Sequence, residues 1–539
     1  MQRVWLASAL ALLLTAQALA AAPAPAAQQV LHHGNGAEPN SLDPHRAEGV
    51  STSNIVRDLF EGLTGISPQG DVVPAAAESW TVSADGRRYT FTLRSGLRWS
   101  DGSALVADDF VAGLQRSISP ATGNTFAQML NAIDNADAVL KSQLPPAALG
   151  VTAPDARTLV IQLAAPTPYL LGLLSHPSAF PVHRPSLQQW GRDFARPGRL
   201  VSNGAYALRD WVVQSHVELV RNPQYWNNAS TVVERVFYHP SEDINAELKR
   251  YAADEFDTTY EIPLVQATAL RARYGRELRI APYLGSYYYG FNLSKPPFRD
   301  NPKLRQALTM AIDREVIVGK VMNGLALPAY SYVPQGIWNY TPQQPVWAAW
   351  PREKKLAEAR RLYAEAGYSA AKPLTVELRY NTHDDHKRIA LVMAAMWKQW
   401  LGVHTRLINE EFKVFLQNRK LHQVTQVFRS AWISDYDDAT SFLDLQTTTH
   451  GRNDSVYRNP AYDALLAEAA ATADVTARRA LLEQAERLML ADQPVLPIYT
   501  YVSKHLVKPW VAGWVDNAYD YHYSKDLQVL AHGRHGAAP

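Results

Sequence analysis

The stretch RSAWISDYDD, Arg429 to Asp438, places a guanidinium, an indole and three carboxylates side by side. It is too charged for ordinary core and too apolar for a solvated acidic tail. Asp435 could be satisfied within the chain, by an ion pair with Arg429 or as an internal cap. It could equally stand ready for a cationic ligand, because a buried carboxylate needs an opposite charge or donors. Spacing alone leaves both open. Asp435 with Asp437 resembles a glycosidase acid pair only superficially, since two acids at i and i+2 do not set the separation that chemistry requires. Asp437-Asp438 before ATSFLDL reads as a helix start, with negative charge at the positive end of the dipole.

Other candidate chemistry is thinner. HDDH, His383 to His386, offers metal-ligand types, but four consecutive residues cannot all converge on one ion. Asp384 or Asp385 is expected to cap the helix that follows. HGNG at His33 to Gly36 lacks the third glycine and the βα unit of a dinucleotide site. No G-x-S-x-G elbow, H-E-x-x-H or Walker loop is present, and the absence of cysteine excludes thiol catalysis and cysteine metal sites. We therefore expect no enzyme, no metal and no cofactor. The run Tyr287-Tyr288-Tyr289 alternates faces in a strand, so at least one ring is expected at a surface.

These residues need elements to position them. RRYTFTL alternates, with Tyr89, Phe91 and Leu93 on one face, and follows a hairpin turn at Asp85-Gly86. RTLVIQL, SHVELVRN and VVERVFYHP read as further strands. VADDFVAGLQRSI has helical spacing through Phe110, Leu114 and Ile118. PREKKLAEARRLYAEAGY begins with Pro351 and stops at Gly367, the usual order of helix punctuation. TVELRYN, the helix HKRIALVMAAMWKQWLG and VHTRLIN then form a β-α-β unit with parallel strands. One long helical stretch is expected from about Tyr462 to Leu490, before the strand PVLPIYTYV. The fold class is α/β, in two lobes with mixed sheets, and the cleft between lobes is the expected ligand site.

Composition narrows the class. Hydrophobic residues make up 47% and charged residues 19% of the 539, the profile of a large globular protein. A net charge of +2 without a basic run argues against nucleic acid as a partner. Arg3, the apolar run Val4 to Leu14 and Ala18-Leu19-Ala20 form a secretory signal peptide with cleavage expected after Ala20. No other apolar run approaches the roughly 20 residues of a spanning helix. With no cysteine to carry a lipid, the mature chain is expected free in a bacterial periplasm.

The segments SLDPHRAEGVSTSNIVRDLFEGL, AESWTVSADGRRYTFTLRSGLRWSDG, NGAYALRDWVV, YWNNASTVVERVFY, KPPFRDNPKLRQALTMAIDRE and LVKPWVAGW resemble, in order, the periplasmic oligopeptide-binding proteins. These are the solute receptors of ABC peptide importers. The resemblance spans nearly the whole mature chain. It implies a periplasmic binding protein fold with a hinge of two strands and an extra inserted domain. Discontinuous domain I would hold 21–60, 185–284 and 502–539, domain II 61–184 and domain III 285–501.

The resemblance also implies a site. Asp435 would bind a peptide's α-ammonium and Trp432 would wall a side-chain pocket. Arg429, Arg419 and His386 would meet the α-carboxylate of peptides of different lengths; an arginine fork suits both carboxylate oxygens. Glu48, Gly49, Val50 and Ala431 match main-chain partners that hold the peptide as an added strand, which tolerates varied side chains. Phe126, Tyr288 and Tyr501 would be pocket neighbours. Met322 stands where the family has a carboxylate-binding lysine, and Gly285 and Ile433 replace a cysteine pair. These departures lean toward the murein-peptide type over the general oligopeptide type. The implied partners are short peptides and an inner-membrane ABC permease, with the receptor itself a monomer. A secreted hydrolase, or a receptor for nickel, haem or a sugar, are the competing readings.

Overall fold

A computed structural model describes residues 22–422 and 426–532. Residues 1–20, expected to form a signal peptide, lie outside the described residues. Three larger sheets organise the chain. The first runs in the order Val30–Gly34, Arg235–His239, His216–Arg221, Tyr206–Val212, with its first pair parallel and the others antiparallel. The second is antiparallel: Ala77–Val82, Arg88–Leu93, Thr158–Gln162, Val151–Thr152. These two sheets share one hydrophobic core. The third is mixed and six-stranded: Leu327–Pro328, Val495–Leu506, Leu278–Phe291, Val427–Ile433, Thr375–Asn381, His404–Glu410. Two further clusters surround it. The architecture is the two-lobed α/β one expected.

Local sequence explains most elements. Tyr89, Phe91 and Leu93 are all buried, and their strand leaves a turn in which Gly86 has φ 68°, a conformation glycine adopts without strain. Phe110, Leu114 and Ile118 form the buried stripe of the helix Ala107–Ile118. The β-α-β unit is realised by Thr375–Asn381, the helix Asp384–Leu401 and the parallel strand His404–Glu410. Its helix ends where Gly402 takes φ 72°.

Three expectations fail for identifiable reasons. The single helix from Tyr462 to Leu490 is two, Pro460–Ala471 and Val475–Asp492. Asp474 divides them: its carboxylate accepts from the Thr476 and Ala477 amides at 3.1 and 2.7 Å, an N-cap that outcompetes helix continuation. The cap of the helix after HDDH is His383, whose Nδ1 accepts from the Asp385 amide at 3.2 Å, while Asp384 and Asp385 occupy the first turn. Tyr287, Tyr288 and Tyr289 are all buried, because their strand is central and both of its faces are covered. Tyr287 stacks on Tyr499 at 4.5 Å and Tyr288 meets Tyr332 edge-on at 5.0 Å.

The strands Leu278–Phe291 and Val495–Leu506 pair antiparallel from Leu278↔Leu506 to Gly290↔Val495. Their far ends reach the first sheet through Thr258 and Thr259. The Leu506 amide donates to Thr259 Oγ1 at 2.9 Å, and Thr258 bridges both His33 and Val507. Tyr169 stacks on Tyr436 at 4.6 Å.

Candidate functional site

The site is built on the strand Val427–Ile433. One edge is fully paired, from Gly285↔Ile433 to Phe291↔Val427. The other meets a neighbour only at Leu378↔Val427 and Arg379↔Phe428. From Arg429 to Ile433 that edge has no ladder partner among the described residues, so main-chain groups stand free for an incoming strand. Alternation does the rest: Arg429, Ala431 and Ile433 line a cavity of about 460 Å³ together with Val50, Tyr283 and Tyr501. Gly49, exposed and at φ 84°, starts the helix Val50–Leu59 beside it, and a Cβ there would meet only open space. Glu48 is exposed, with its amide on Asn40 Oδ1 at 3.0 Å.

Beyond Ile433 the chain turns. The Ser434 amide closes on the Leu284 carbonyl at 2.7 Å and the Asp435 amide on Ser441 Oγ at 3.1 Å. These bonds aim Asp435 into a second cavity of about 140 Å³, walled by Trp432, Phe126, Tyr169, Asp444 and Arg452. Its carboxylate has no hydrogen bond or ion pair from the described residues. Burial pushes its pKa up to about 7, against the opposing pull of Arg452 and Arg57. The internal ion pair with Arg429 is not formed, and Ser441 satisfies the backbone rather than the side chain. Its neighbours are met differently: Asp437 accepts from the Trp338 amide at 2.7 Å, and Asp438 pairs with Arg478 at 2.6 Å.

The Arg429 guanidinium lies over the Tyr287 ring at 4.8 Å and donates to Tyr501 at 3.2 Å. It forms no ion pair among the described residues, and its buried Nε lacks a hydrogen-bond partner there. His386, Arg419 and Tyr288 line neither cavity. His386 Nδ1 sits 3.2 Å from Tyr287 OH. Burial first, then Arg429 and His383, hold its pKa well below the imidazole range. Without a ligand the ring is held neutral. Arg419 lies on the Ser430 side of the strand, 3.0 Å from Ser430 Oγ, and is paired with Asp454 at 2.9 Å.

Spacing gave no hint of Arg57, Asp444, Arg452 or Lys504. Arg452 lies 5.2 Å from the Trp432 ring centre, and Lys504 lines the Arg429 cavity while pairing with the half-exposed Glu261 at 3.5 Å. A cation inside a strand of otherwise buried residues was the one available signal for Lys504.

With this geometry in view, the likenesses to known proteins acquire meaning. The chain is 41% identical over 512 residues to the periplasmic oligopeptide-binding protein OppA of Escherichia coli (strain K12), covering 94% of each. The solved structure of the Escherichia coli murein tripeptide binding protein MppA superposes with a TM-score of 0.86 at 38% identity, over 93% of this chain and 99% of that one. Haemophilus influenzae OppA in complex with RPPGFSPFR gives 0.84 at 34% identity, over 93% and 99%. Among the described residues no helix is long and apolar enough to cross a membrane. A model of the bacterial extracellular solute-binding proteins, family 5, matches residues 71–454, and the chain belongs to that family.

Proposed function

We propose that this protein is a periplasmic receptor that captures short peptides between its lobes and delivers them to an ABC permease. The observation that carries the reading is the unpaired carboxylate of Asp435 at one end of an open strand edge whose other end presents an unpaired Arg429. A half-buried acid without a partner is unfavourable until a cation arrives. A peptide's α-ammonium supplies that cation, and its carboxylate meets the Arg429 fork. The open edge takes the peptide main chain as an added strand, with Glu48, Gly49 and Val50 on its far side. Asp435 lies six residues from Arg429, at most about 20 Å of extended chain, so peptides of about three to six residues span the two charges.

The domain division expected from the sequence fits this reading. Each four-stranded sheet falls inside one proposed domain, and the strands Leu278–Phe291 and Val495–Leu506 cross the proposed boundaries at 284/285 and 501/502, as hinge strands must. The receptor acts as a monomer without catalysis, after removal of residues 1–20.

A murein-peptide ligand is the second reading. Lys504 joins Arg429 in one cavity, giving two cations where such ligands carry extra carboxylates. Gly285 faces Ile433 in register, and Met322 is buried.

Calorimetry of the mature chain with a free-amine tetrapeptide and its N-acetyl twin tests the anchor. Acetylation, or Asp435→Ala, is expected to weaken binding by about 2–5 kcal/mol. Equal affinity for the twins sinks the reading. Mass spectrometry of the recovered peptide is expected to show it intact.

A further inference from the structure

A separate cluster lies where the strand Val495–Leu506, the C-terminal segment and the first strand meet. His505 Nε2 is 2.9 and 3.0 Å from the two oxygens of Asp520, and His522 Nε2 is 3.0 Å from Asp520 Oδ1. One ligand atom from each of the three lies within 4.8 Å of the others. His505 Nδ1 is 2.9 Å from the Thr259 carbonyl. A carbonyl only accepts, so Nδ1 carries a proton and Nε2 is the nitrogen turned to the cluster. An imidazole N–H on a carbonyl, with the other nitrogen aimed inward, is how proteins orient a metal-binding histidine. Trp514 stacks on His522 at 3.6 Å and meets His505 edge-on at 5.5 Å, fixing both rings.

His33 supplies an independent observation. Its side chain is only 7% exposed, and Nδ1 is engaged with Thr258 Oγ1 at 2.7 Å. Its Nε2 is buried with no hydrogen-bond partner among the described residues, an unmet donor or acceptor that the fold leaves standing. His33, His505, Asp520 and His522 line one cavity of about 50 Å³, room for an ion with a water.

We propose that His505, Asp520 and His522 form a binding site for one late first-row divalent cation, with zinc as its representative, and that His33 stands beside it on the same cavity wall. The donor set is two imidazoles and a carboxylate, with a third imidazole on the cavity wall, which suits zinc, copper or nickel rather than calcium or magnesium. Metal–ligand bonds of about 2.0–2.1 Å place donors about 2.9 Å apart at right angles and about 3.3 Å apart at the tetrahedral angle. The His505–Asp520 and His522–Asp520 separations therefore need only a few tenths of an ångström of opening. A plain His505–Asp520 ion pair with His522 donating accounts for three of the residues but leaves His33 Nε2, on the wall of the same cavity, unserved. The ion ties the C-terminal segment to the strand Val495–Leu506, and His505 and Asp520 also line the Arg429 cavity, so it braces that cavity.

The test uses the mature chain, stripped with chelator and dialysed against micromolar zinc. Elemental analysis is expected to find one zinc per chain, and the thermal midpoint is expected to rise with zinc. Asp520→Asn and His522→Asn each lower the affinity at least about tenfold, and His33→Asn lowers it too, while the exposed His404→Asn leaves it unchanged. If Asp520→Asn fails to fold by circular dichroism, His522→Asn decides. No zinc retained by the native chain, or zinc retained undiminished by the folded His522 variant, overturns the proposal.

Discussion

Asp435 and Asp438 stand three residues apart in one turn, yet the protein treats them oppositely. Asp438 receives two guanidinium nitrogens of Arg478 at 2.6 and 2.8 Å, and the amide and hydroxyl of Thr440 at 3.0 and 2.7 Å. Both partners of that ion pair are almost wholly buried. Asp435 receives nothing from the described residues, although it is enclosed enough for burial to lift its pKa to about 7. One carboxylate is satisfied by the fold and holds it together. The other is left unsatisfied, and the free energy withheld from folding is available to a ligand. Neutralising the first should damage the protein, and neutralising the second should damage only what it does.

The largest effect expected is on Asp438. Asp438→Ala leaves the Arg478 guanidinium buried without its partner and strips the Thr440 turn of its acceptor. We expect a loss of about 3–5 kcal/mol in unfolding free energy, read by denaturant titration. A loss under about 1 kcal/mol would mean the two aspartates do not differ in kind.

The next effect sharpens the contrast through pH. In the free protein the Asp435 carboxyl titrates near 7, and a bound ammonium must lower that value. Binding is then strongest above pH 7 and weakens as protons compete below it. Between pH 7.5 and 5.5 we expect affinity to fall about 20-fold, the penalty of ionising a group of pKa about 7 at the lower pH. His386 stays neutral across this range, because its pKa lies well below it, and so cannot offset the loss. Calorimetry at the two pH values checks this; flat affinity breaks the link between Asp435 and the ligand's charge.

How much of this was legible beforehand varies with the range of the interaction. Strands with strict alternation, such as Arg88–Leu93, and helices with a continuous apolar stripe, such as Ala107–Ile118, carry their own signal and were readable. The split at Asp474 was not, because a cap competes with helix propensity over only two or three residues. Asp435 could be suspected from its neighbourhood, but whether it was paired depended on where Arg429 points, and that is set by Tyr287 and Tyr501 on two other strands. Resemblance to a family suggested carboxylate-binding roles for both Arg429 and Arg419, and no spacing rule showed that Arg419 pairs with Asp454 while Arg429 forms no ion pair among the described residues. Arg57 and Arg452 lie hundreds of residues apart, and no spacing rule joins them at one carboxylate. His33 escaped for the same reason, lying hundreds of residues from His505, Asp520 and His522.

The smallest effect is the most diagnostic, since it runs against the usual direction of mutation. Asp435 is raised from an unfolded value of about 3.9 to about 7 in the folded chain. A group raised in this way contributes stability that is fully present below the unfolded pKa and lost as pH rises through the folded one. Above pH 7 the native protein therefore carries an ionised acid it does not satisfy. Asp435→Asn cannot ionise, so without ligand it should match the native protein at pH 4 and exceed it at pH 8. Partial access of water to the carboxylate reduces the gain to on the order of 1–2 kcal/mol. With saturating peptide at pH 8 the order should reverse, because only the native protein gains binding free energy from the ammonium. Thermal midpoints of both proteins, with and without peptide at the two pH values, read all of this. A variant less stable than the native chain at pH 8 without ligand would place Asp435 beside Asp438 as a structural acid.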